Sequence, residues 1–293
     1  MAQQVQAEIR GSVRRLARAL AEPVSSVGRW VQARGAPDVP PGPRGRRRGP
    51  EEAALGERIR ALCAAPRQAL FGYRRIGALL RREGWAVNRK RVQRVMRELG
   101  LLRPKVWHRP QRPRRVERML PERPNQAWQI DMTSFPLANL QPLFLVVIID
   151  CCTRQIVGWT LDRRCRASEW VAAVRRALEE RGLAGQAGAD SLVLRSDNGP
   201  QPCSKRFVEY LGRAGVHGQY TGYDAPDDNA YVERVIRTLK EEEIWPNAYE
   251  SWAEAHAAIE SYVHYYNYQR IHAALGYLTP DEFAAAAVTL TAA

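Results

Sequence analysis

Three apolar segments follow one another in the middle of the chain, and they restrict its fold more than any other feature. The first is QAWQIDMTSFPL, the second is LFLVVIIDCCT and the third is QIVGWTLD. Each has the length of a strand and the connections between them are short, which predicts an antiparallel meander. The longest apolar run, Leu143–Asp150, is strand-sized and therefore too short to span a membrane as a helix.

The rest of this half alternates between helix and strand patterns. An amphipathic helix at Ser168–Gly182 precedes the strand SLVLRSDNG, the helix SKRFVEYLGRAG and the short strand VHGQYT, and long helices follow. This order of elements over about 150 residues predicts an α/β fold, in which helices cover both faces of a mixed five-stranded sheet.

Charge divides the chain into two parts of different character. Residues 1–124 carry 30 Lys and Arg against 10 Asp and Glu, whereas residues 125–293 carry 15 against 21. A strongly basic region joined to a mildly acidic one predicts a part that binds a polyanion and a part with another task. The alternative is an Arg-rich composition inherited from a GC-rich genome, but the second part was not made basic by it.

The five cysteines and the N-terminus indicate the compartment. No cysteine pair has C-x-x-C spacing, and none lies near histidines at the spacing of a zinc site. The N-terminus lacks the apolar segment of a secretory signal. We therefore expect a cytoplasmic protein in a reducing environment, with no membrane partner.

Proline, glycine and arginine mark two linkers, and these give the predicted domain boundaries. We predict a helical module at 1–35, a Pro/Gly/Arg-rich linker at 36–51 and a helical DNA-binding domain at 52–102. A basic Pro/Arg-rich linker at 103–124 then leads to the α/β core at 125–290. Arg46, Arg47 and Arg48 make the first linker a candidate phosphate-contacting arm. The first module fits either a helix-turn-helix or an amphipathic hairpin for a protein partner.

A basic helix near the end of the 52–102 domain is the best candidate for entering a DNA groove. The pattern predicts a helix over Asn88–Leu99, with Asn88 as its cap and an apolar stripe on one side. The remaining positions carry the candidate DNA contacts Arg89, Lys90, Arg91 and Arg94. A solvated basic helix without a DNA role is the alternative.

Three acids occupy positions for which packing gives no reason. Asp131 lies inside a predicted strand, Asp197 ends another, and Glu233 stands alone on a late helix. Carboxylates without nearby His or Cys suit Mg²⁺ or Mn²⁺ rather than zinc, and two such ions are one means of displacement at phosphorus. The alternative for Asp197 is that the Asp-Asn-Gly sequence only forms a turn.

The sequence around these acids resembles a known family. WQIDMT, RSDNGPQ and DNAYVERVIRTLKEE, with 35 residues between Asp197 and Glu233, resemble the signature blocks of the DDE transposase and retroviral integrase superfamily. FGYRRIGALLRREGWAVNRKRVQRVMRELGL resembles the DNA-binding module of the OrfB-type transposases of two-frame bacterial insertion sequences, and YYNYQRIHAALGYLTPDEF resembles their C-terminal segment.

The resemblance implies a ribonuclease-H-like core preceded by small all-α modules of helix-turn-helix type. It implies that Asp131, Asp197 and Glu233 are catalytic and hold two Mg²⁺ or Mn²⁺ ions per active site. It assigns DNA contacts to Arg237 and Lys240, for which a surface Glu–Arg pair is the alternative. Residues expected to shape the turns beside the acids are Asn198, Gly199 and Asn229.

The same resemblance implies a function. It predicts a transposase that binds terminal inverted repeats and target DNA, cleaves a strand and transfers the 3′-OH. The partners are DNA, further copies of the chain as a dimer or more, and the upstream-frame product where the element makes one, all at the bacterial nucleoid. The alternatives are a non-catalytic repressor derived from a transposon and a nuclease that only cuts.

Two further expectations concern the late helices. Asp227–Ile244 reads as one helix, and the adjacent Glu241, Glu242 and Glu243 fan around it, so we expect them to be solvated. The tyrosine-rich stretch after it is expected to pack on the sheet, with stacking on DNA bases as the alternative. Its tyrosines are Tyr262, Tyr265, Tyr266 and Tyr268.

Overall fold

The computed structural model of the chain describes residues 50–102, 121–185, 192–221 and 229–291. Arg46, Arg47, Arg48 and the predicted 1–35 module lie outside these residues. The chain divides into two compact units, Met1–Ala53 and Ala54–Ala293, and nearly all described residues belong to the second. Within the described parts, every helix is too short or too polar to cross a bilayer. The predicted domain boundaries stay predictions.

Three helices form the basic part of the second unit and the segment leading into it. They are α1 at Pro50–Ala64, α2 at Tyr73–Arg82 and α3 at Arg89–Glu98. Their apolar stripes meet in a common core that includes Leu55, Ile76 and Val92, all fully buried. The predicted cap of α3 is confirmed, because the Asn88 side chain accepts a hydrogen bond from the Arg91 backbone N–H at 2.8 Å. We call residues 54–102 the helical module.

The predicted five-stranded mixed sheet is confirmed. Its strands are β1 at Ala127–Pro136, β2 at Pro142–Asp150, β3 at Ile156–Asp162, β4 at Val193–Ser196 and β5 at His217–Tyr220. Their spatial order is β3-β2-β1-β4-β5. The first three strands form the expected antiparallel meander, whereas β4 runs parallel to β1 and β5 runs parallel to β4.

Helices cover both faces of the sheet, as expected. The helices that follow β3 are α4 at Ala167–Glu180, α5 at Lys205–Arg213, α6 at Ala230–Leu239, α7 at Trp252–Tyr268 and α8 at Pro280–Thr291, and the first four of them cover the sheet. One core packs β1–β4 against α4 and α5, and the other packs the opposite face against α6 and α7. Strand β2 reads as a continuous apolar run because its alternate residues enter these two cores.

The late helix differs from the prediction in both shape and burial. Helix α6 ends at Leu239, and Lys240–Ile244 continues as one π-helical turn, which changes the directions of the side chains that follow. The prediction that the adjacent glutamates are solvated is wrong for Glu242 and Glu243, since each is only 7% exposed. Each of these two has a guanidinium partner, which offsets the cost of burying its charge.

The tyrosines of α7 follow the packing interpretation. Tyr262, Tyr265 and Tyr266 are buried in the core that faces α6. Tyr268 is exposed, and its ring lies 4.8 Å from that of His264. Three of the four rings are therefore unavailable for stacking on bases.

Helix α4 packs closely on the sheet at Gly158 of β3. A Cβ atom there would lie 2.7 Å from the Ala177 Cβ and 2.8 Å from the Ala173 carbonyl oxygen, both on α4. Gly158→Ala should therefore push α4 away from β3 and lower the free energy of unfolding by about 1–3 kcal/mol. Urea unfolding followed by circular dichroism measures this change.

Gly212→Ala on α5 is the matched control for Gly158→Ala. A Cβ at Gly212 meets nothing within 4 Å, so helix propensity should raise stability by about 0.5–1 kcal/mol. Equal effects of the two substitutions would contradict the close packing of β3 on α4.

Candidate active site

Strand β1 places two polar side chains on the face that α6 covers. Gln129 and Asp131 are two residues apart, so they point to the same side of the sheet, whereas Trp128 and Ile130 enter the opposite core. The Gln129 side-chain oxygen accepts hydrogen bonds from the backbone N–H groups of Tyr231 at 3.0 Å and Val232 at 3.1 Å. It thereby satisfies two of the donors that the first turn of α6 leaves without a helical partner.

Asn229 fixes the start of α6 from the other direction. It is buried, and its side-chain N–H donates to the Ile130 carbonyl oxygen at 3.3 Å. The first turn of α6 is therefore tied to β1 at two adjacent residues, Gln129 and Ile130. Glu233, one turn further along, is exposed and lies on the side of the sheet that also carries Asp131.

Asp197 reaches the same region from β4. The parallel register pairs Gln129 with Arg195, so two more residues along each strand bring Asp131 and Asp197 to the same level. Asp197 follows directly after the strand and is exposed. The acid thus lies at the carboxyl end of β4, where sites collect in sheets of this kind.

The residues after Asp197 form the turn that their sequence predicts. The Gly199 backbone N–H donates to the Asp197 Oδ1 at 3.2 Å, and the Asn198 side chain donates to the Thr221 carbonyl oxygen at 2.7 Å. A Cβ at Gly199 would lie 3.1 Å from the Asp197 Oδ1, so a side chain there would crowd the carboxylate. The Asp197 carboxylate is thus part of the turn through its hydrogen bond with Gly199. Forming this turn does not exclude a functional role for the carboxylate.

The three acids are electrostatically linked. Burial, together with the nearby negative charges of Asp197 and Glu233, raises the pKa of Asp131 to about 6, against the opposing effects of the Met132 N–H and Lys240. Asp150, at the end of β2, has surroundings that differ from those of Asp131. It is almost fully buried, and its carboxylate accepts three hydrogen bonds from the backbone N–H groups of Asn125, Cys152 and Thr153. Asp150 is thus a structural acid, whereas Asp131 keeps an excess of negative charge around it.

The donor set around Asp131 fits a hard divalent cation by its chemistry. Carboxylate oxygens are the ligands that Mg²⁺ and Mn²⁺ prefer, and a cation would offset the burial and the neighbouring negative charges that raise the pKa of Asp131. In the described residues, no three His, Cys, Asp or Glu side chains are already arranged to hold one ion. The fit therefore rests on charge and donor type.

The basic residues singled out by sequence have different surroundings. Lys240 lies within electrostatic reach of Asp131, whereas the Arg237 Nε binds the Glu241 Oε1 at 2.9 Å on the exposed side of the helix. On α3, Arg94 pairs with Glu98 at 3.2 Å. Of the four predicted contacts on α3, Arg89, Lys90 and Arg94 are exposed, while Arg91 is half-buried.

Sequence reasoning missed three residues that organise this region. One feature of the sequence could have indicated Gln129. It is a polar residue in a buried strand, two positions before Asp131, so both side chains face the same side of the sheet. Glu242 and Arg270 gave no such signal, because their pairing joins segments 28 positions apart. Only the fold brings these two side chains together.

Comparisons with known proteins found family models and a solved structure to which this chain is similar. Two family models described as "Integrase core domain" match residues 121–222 and 214–280, and one described as "HTH-like domain" matches residues 50–111. The HTLV-2 integrase catalytic core domain, solved in complex with magnesium as a dimer, aligns with a TM-score of 0.40 and 20% identity over 54% of this chain and 94% of that chain.

Two relatives from bacterial insertion elements cover most of the chain. The "Insertion element IS407 uncharacterized 31.7 kDa protein" of Burkholderia multivorans is 32% identical, over 73% of this chain and 76% of the relative. The transposase for insertion sequence element IS904 of Lactococcus lactis is 31% identical, over 80% of this chain and 94% of the relative. The resemblance seen in the sequence motifs is thereby confirmed, and the chain belongs to the insertion-sequence transposases that carry an integrase core domain.

Proposed function

We propose that this transposase binds the terminal inverted repeats of its element, cleaves a DNA strand and transfers the resulting 3′-OH to a target phosphate. One observation carries the proposal. Three elements, β1, the end of β4 and α6, each supply a carboxylate to one region, and burial, together with the charges of Asp197 and Glu233, raises the pKa of Asp131 to about 6. Such a region is costly unless a cation or a reacting group makes use of it.

Asp131, Asp197 and Glu233 are the residues that would hold the metal. Two Mg²⁺ or Mn²⁺ ions bound there would supply an activated oxygen nucleophile and neutralise charge on the leaving oxygen. Gln129 and Asn229 hold α6 on β1, and so keep Glu233 with the two aspartates. Lys240 places a positive charge beside the acids, suited to a DNA phosphate, and Arg237 offers another once released from Glu241.

DNA binding is assigned to the basic part of the chain. The exposed side chains of α3 would enter a groove or contact phosphates, as expected for the second helix of a tight helical pair. Arg46, Arg47 and Arg48 would add phosphate contacts from the linker. Joining two element ends requires at least two copies of the chain on DNA, with the upstream-frame product as a further partner where the element makes one.

Asp131→Asn separates catalysis from binding. It removes a charge from the proposed ligand set without changing the shape of the side chain, so cleavage and joining should fall by ~10²-fold or more while DNA affinity is kept. Labelled terminal-repeat DNA incubated with Mg²⁺ measures both. Asp162→Asn, at the end of the edge strand β3, is the control.

The products of this assay also separate the functions. Joined strands from the wild-type protein support a transposase, products that are only cut indicate a nuclease, and a mobility shift without cleavage indicates a DNA-binding protein. If Asp131→Asn cleaves DNA at the wild-type rate, Asp131 is not a catalytic residue.

The raised pKa of Asp131 predicts a pH dependence of stability. Because its carboxyl binds a proton more readily in the folded state, with a pKa of about 6 against an ordinary value of 3.8, protonation favours folding. The metal-free wild-type protein should gain stability relative to Asp131→Asn as the pH falls from above 6 to about 4, by at most about 3 kcal/mol. Thermal unfolding across this pH range measures the difference.

Metal addition is the control for this pH effect. At pH 7, millimolar Mg²⁺ or Mn²⁺ should raise the unfolding temperature of the wild-type protein and leave that of Asp131→Asn nearly unchanged, because binding relieves the repulsion among the acids. An equal rise of the unfolding temperature in both proteins would show that the metal binds at a site that does not include Asp131.

Substitutions on α3 test the assigned DNA surface. Arg89→Ala and Lys90→Ala should each weaken binding to all DNA sequences and lower the salt dependence by about one phosphate contact, because each removes a cation from the proposed DNA surface. Binding titrations at several salt concentrations measure this change. Lys205→Ala, an equally exposed cation on α5, should leave both quantities unchanged.

A further inference from the structure

The π turn that follows α6 ends in a buried polar anchor. Arg270, just after α7, donates to both carboxylate oxygens of Glu242, from Nε at 2.8 Å and from Nη2 at 2.7 Å. The Tyr262 hydroxyl donates a third hydrogen bond to the same carboxylate at 3.0 Å. Both charged side chains are 4% exposed, so the pair is shielded from water on all sides.

Burying this ion pair has a free-energy cost. Two charges must leave water to form it, and removing either one leaves the other buried without its partner. Glu242 raises the pKa of Arg270 above its ordinary value against the effect of burial, so this guanidinium stays charged. The pair also fixes direction, because a planar guanidinium bound to two carboxylate oxygens permits one orientation.

Helix α6 is consequently held at both ends by polar contacts. At its start, Gln129 and Asn229 tie it to β1, beside Asp131. At its end, Glu242 ties the π turn to Arg270. Glu233 lies between the two attachments, so its position relative to Asp131 depends on both.

The helical module reaches the same anchor. The Arg75 Nη1, on α2, lies 3.9 Å from the Glu242 Oε1, and the Arg67 Nη2, in the loop before α2, lies 3.2 Å from the Glu243 Oε2. Arg67 also donates to Ser261 of α7, and its carbonyl oxygen accepts from the Tyr265 hydroxyl. The part of the chain assigned to DNA binding therefore contacts the turn that ends α6.

We propose that Glu242, held by Arg270, is a positioning residue that sets the placement of Glu233 in the active site and links it to the docked helical module. The proposal rests on the proposed function, because Glu233 is taken as one of the catalytic acids. Glu242 itself is buried and is therefore not placed to contact DNA directly. It acts through the helix that carries Glu233.

Glu242→Gln tests this role, because it keeps the size of the side chain and one acceptor but removes the charge. Glu180→Gln is the matched control. Its partner Arg176 lies at 2.7 Å, the same distance as in the buried pair, but both side chains are exposed on α4. Each variant is compared with the wild-type protein in the full-length chain, well below its unfolding temperature.

Two readouts distinguish positioning from a merely structural role. Glu242→Gln should lower kcat for strand cleavage by about 10- to 100-fold, with less than about a threefold change in KM for DNA. It should also speed hydrogen exchange at the Tyr231 and Val232 amides, which report the attachment of α6 to β1, while the amides of α4 stay protected. Glu180→Gln should change neither.

An unchanged kcat in folded Glu242→Gln would overturn the proposal. So would a loss of activity that only follows the folded fraction, with exchange at Tyr231 and Val232 as in the wild-type protein. If Glu242→Gln does not fold, Arg270→Lys and the neutral pair Glu242→Gln/Arg270→Gln replace it, with the same criteria. Wild-type protein that neither cuts nor joins would refute the proposed function, and the exchange data would still decide whether Glu242 sets the position of α6.

Discussion

The hydrogen bonds that hold β1 between β2 and β4 determine most of this structure. Its antiparallel bonds to β2 fix which residues face each core, and its parallel bonds to β4 bring Asp197 level with Asp131. The same strand caps α6 through Gln129. A shift of β1 by one residue would exchange the two faces, moving Asp131 into the opposite core and removing the cap of α6 together.

Charged side chains in the described parts of the chain illustrate three environments with different physical consequences. Exposed pairs such as Arg176–Glu180 are screened by solvent and add little to stability. Asp131 sits among like charges, which makes its region receptive to a cation. Glu242 and Arg270 are buried as an ion pair, which fixes the position of the π turn at the end of α6. Glu242 is buried against a charged partner, whereas Asp131 is buried beside two further acids, and this difference in surroundings separates the structural acid from the candidate catalytic one.

Much of the fold could be predicted because the signals were local. Strand lengths, the Asn88 cap and the apolar stripes depend on neighbouring residues. The acids could be proposed because an Asp inside a strand has no packing role, and their roles stay predictions. The burial of Glu242 could not be predicted, because periodicity assumes a regular helix and the π turn changes the direction of the side chain. Gln129 was missed because its partners belong to a helix a hundred positions later.

The buried contacts between the helical module and the core constrain how such chains can diverge. Arg67 and Arg75 meet Glu243 and Glu242, so a module inherited from a relative without these cations would leave carboxylates buried with less compensation. Exchange of modules by recombination should therefore succeed only between chains that share this set of charges. Positions 75, 242 and 270 are then expected to change together along a lineage, so that the helical module and the integrase core are inherited as one unit.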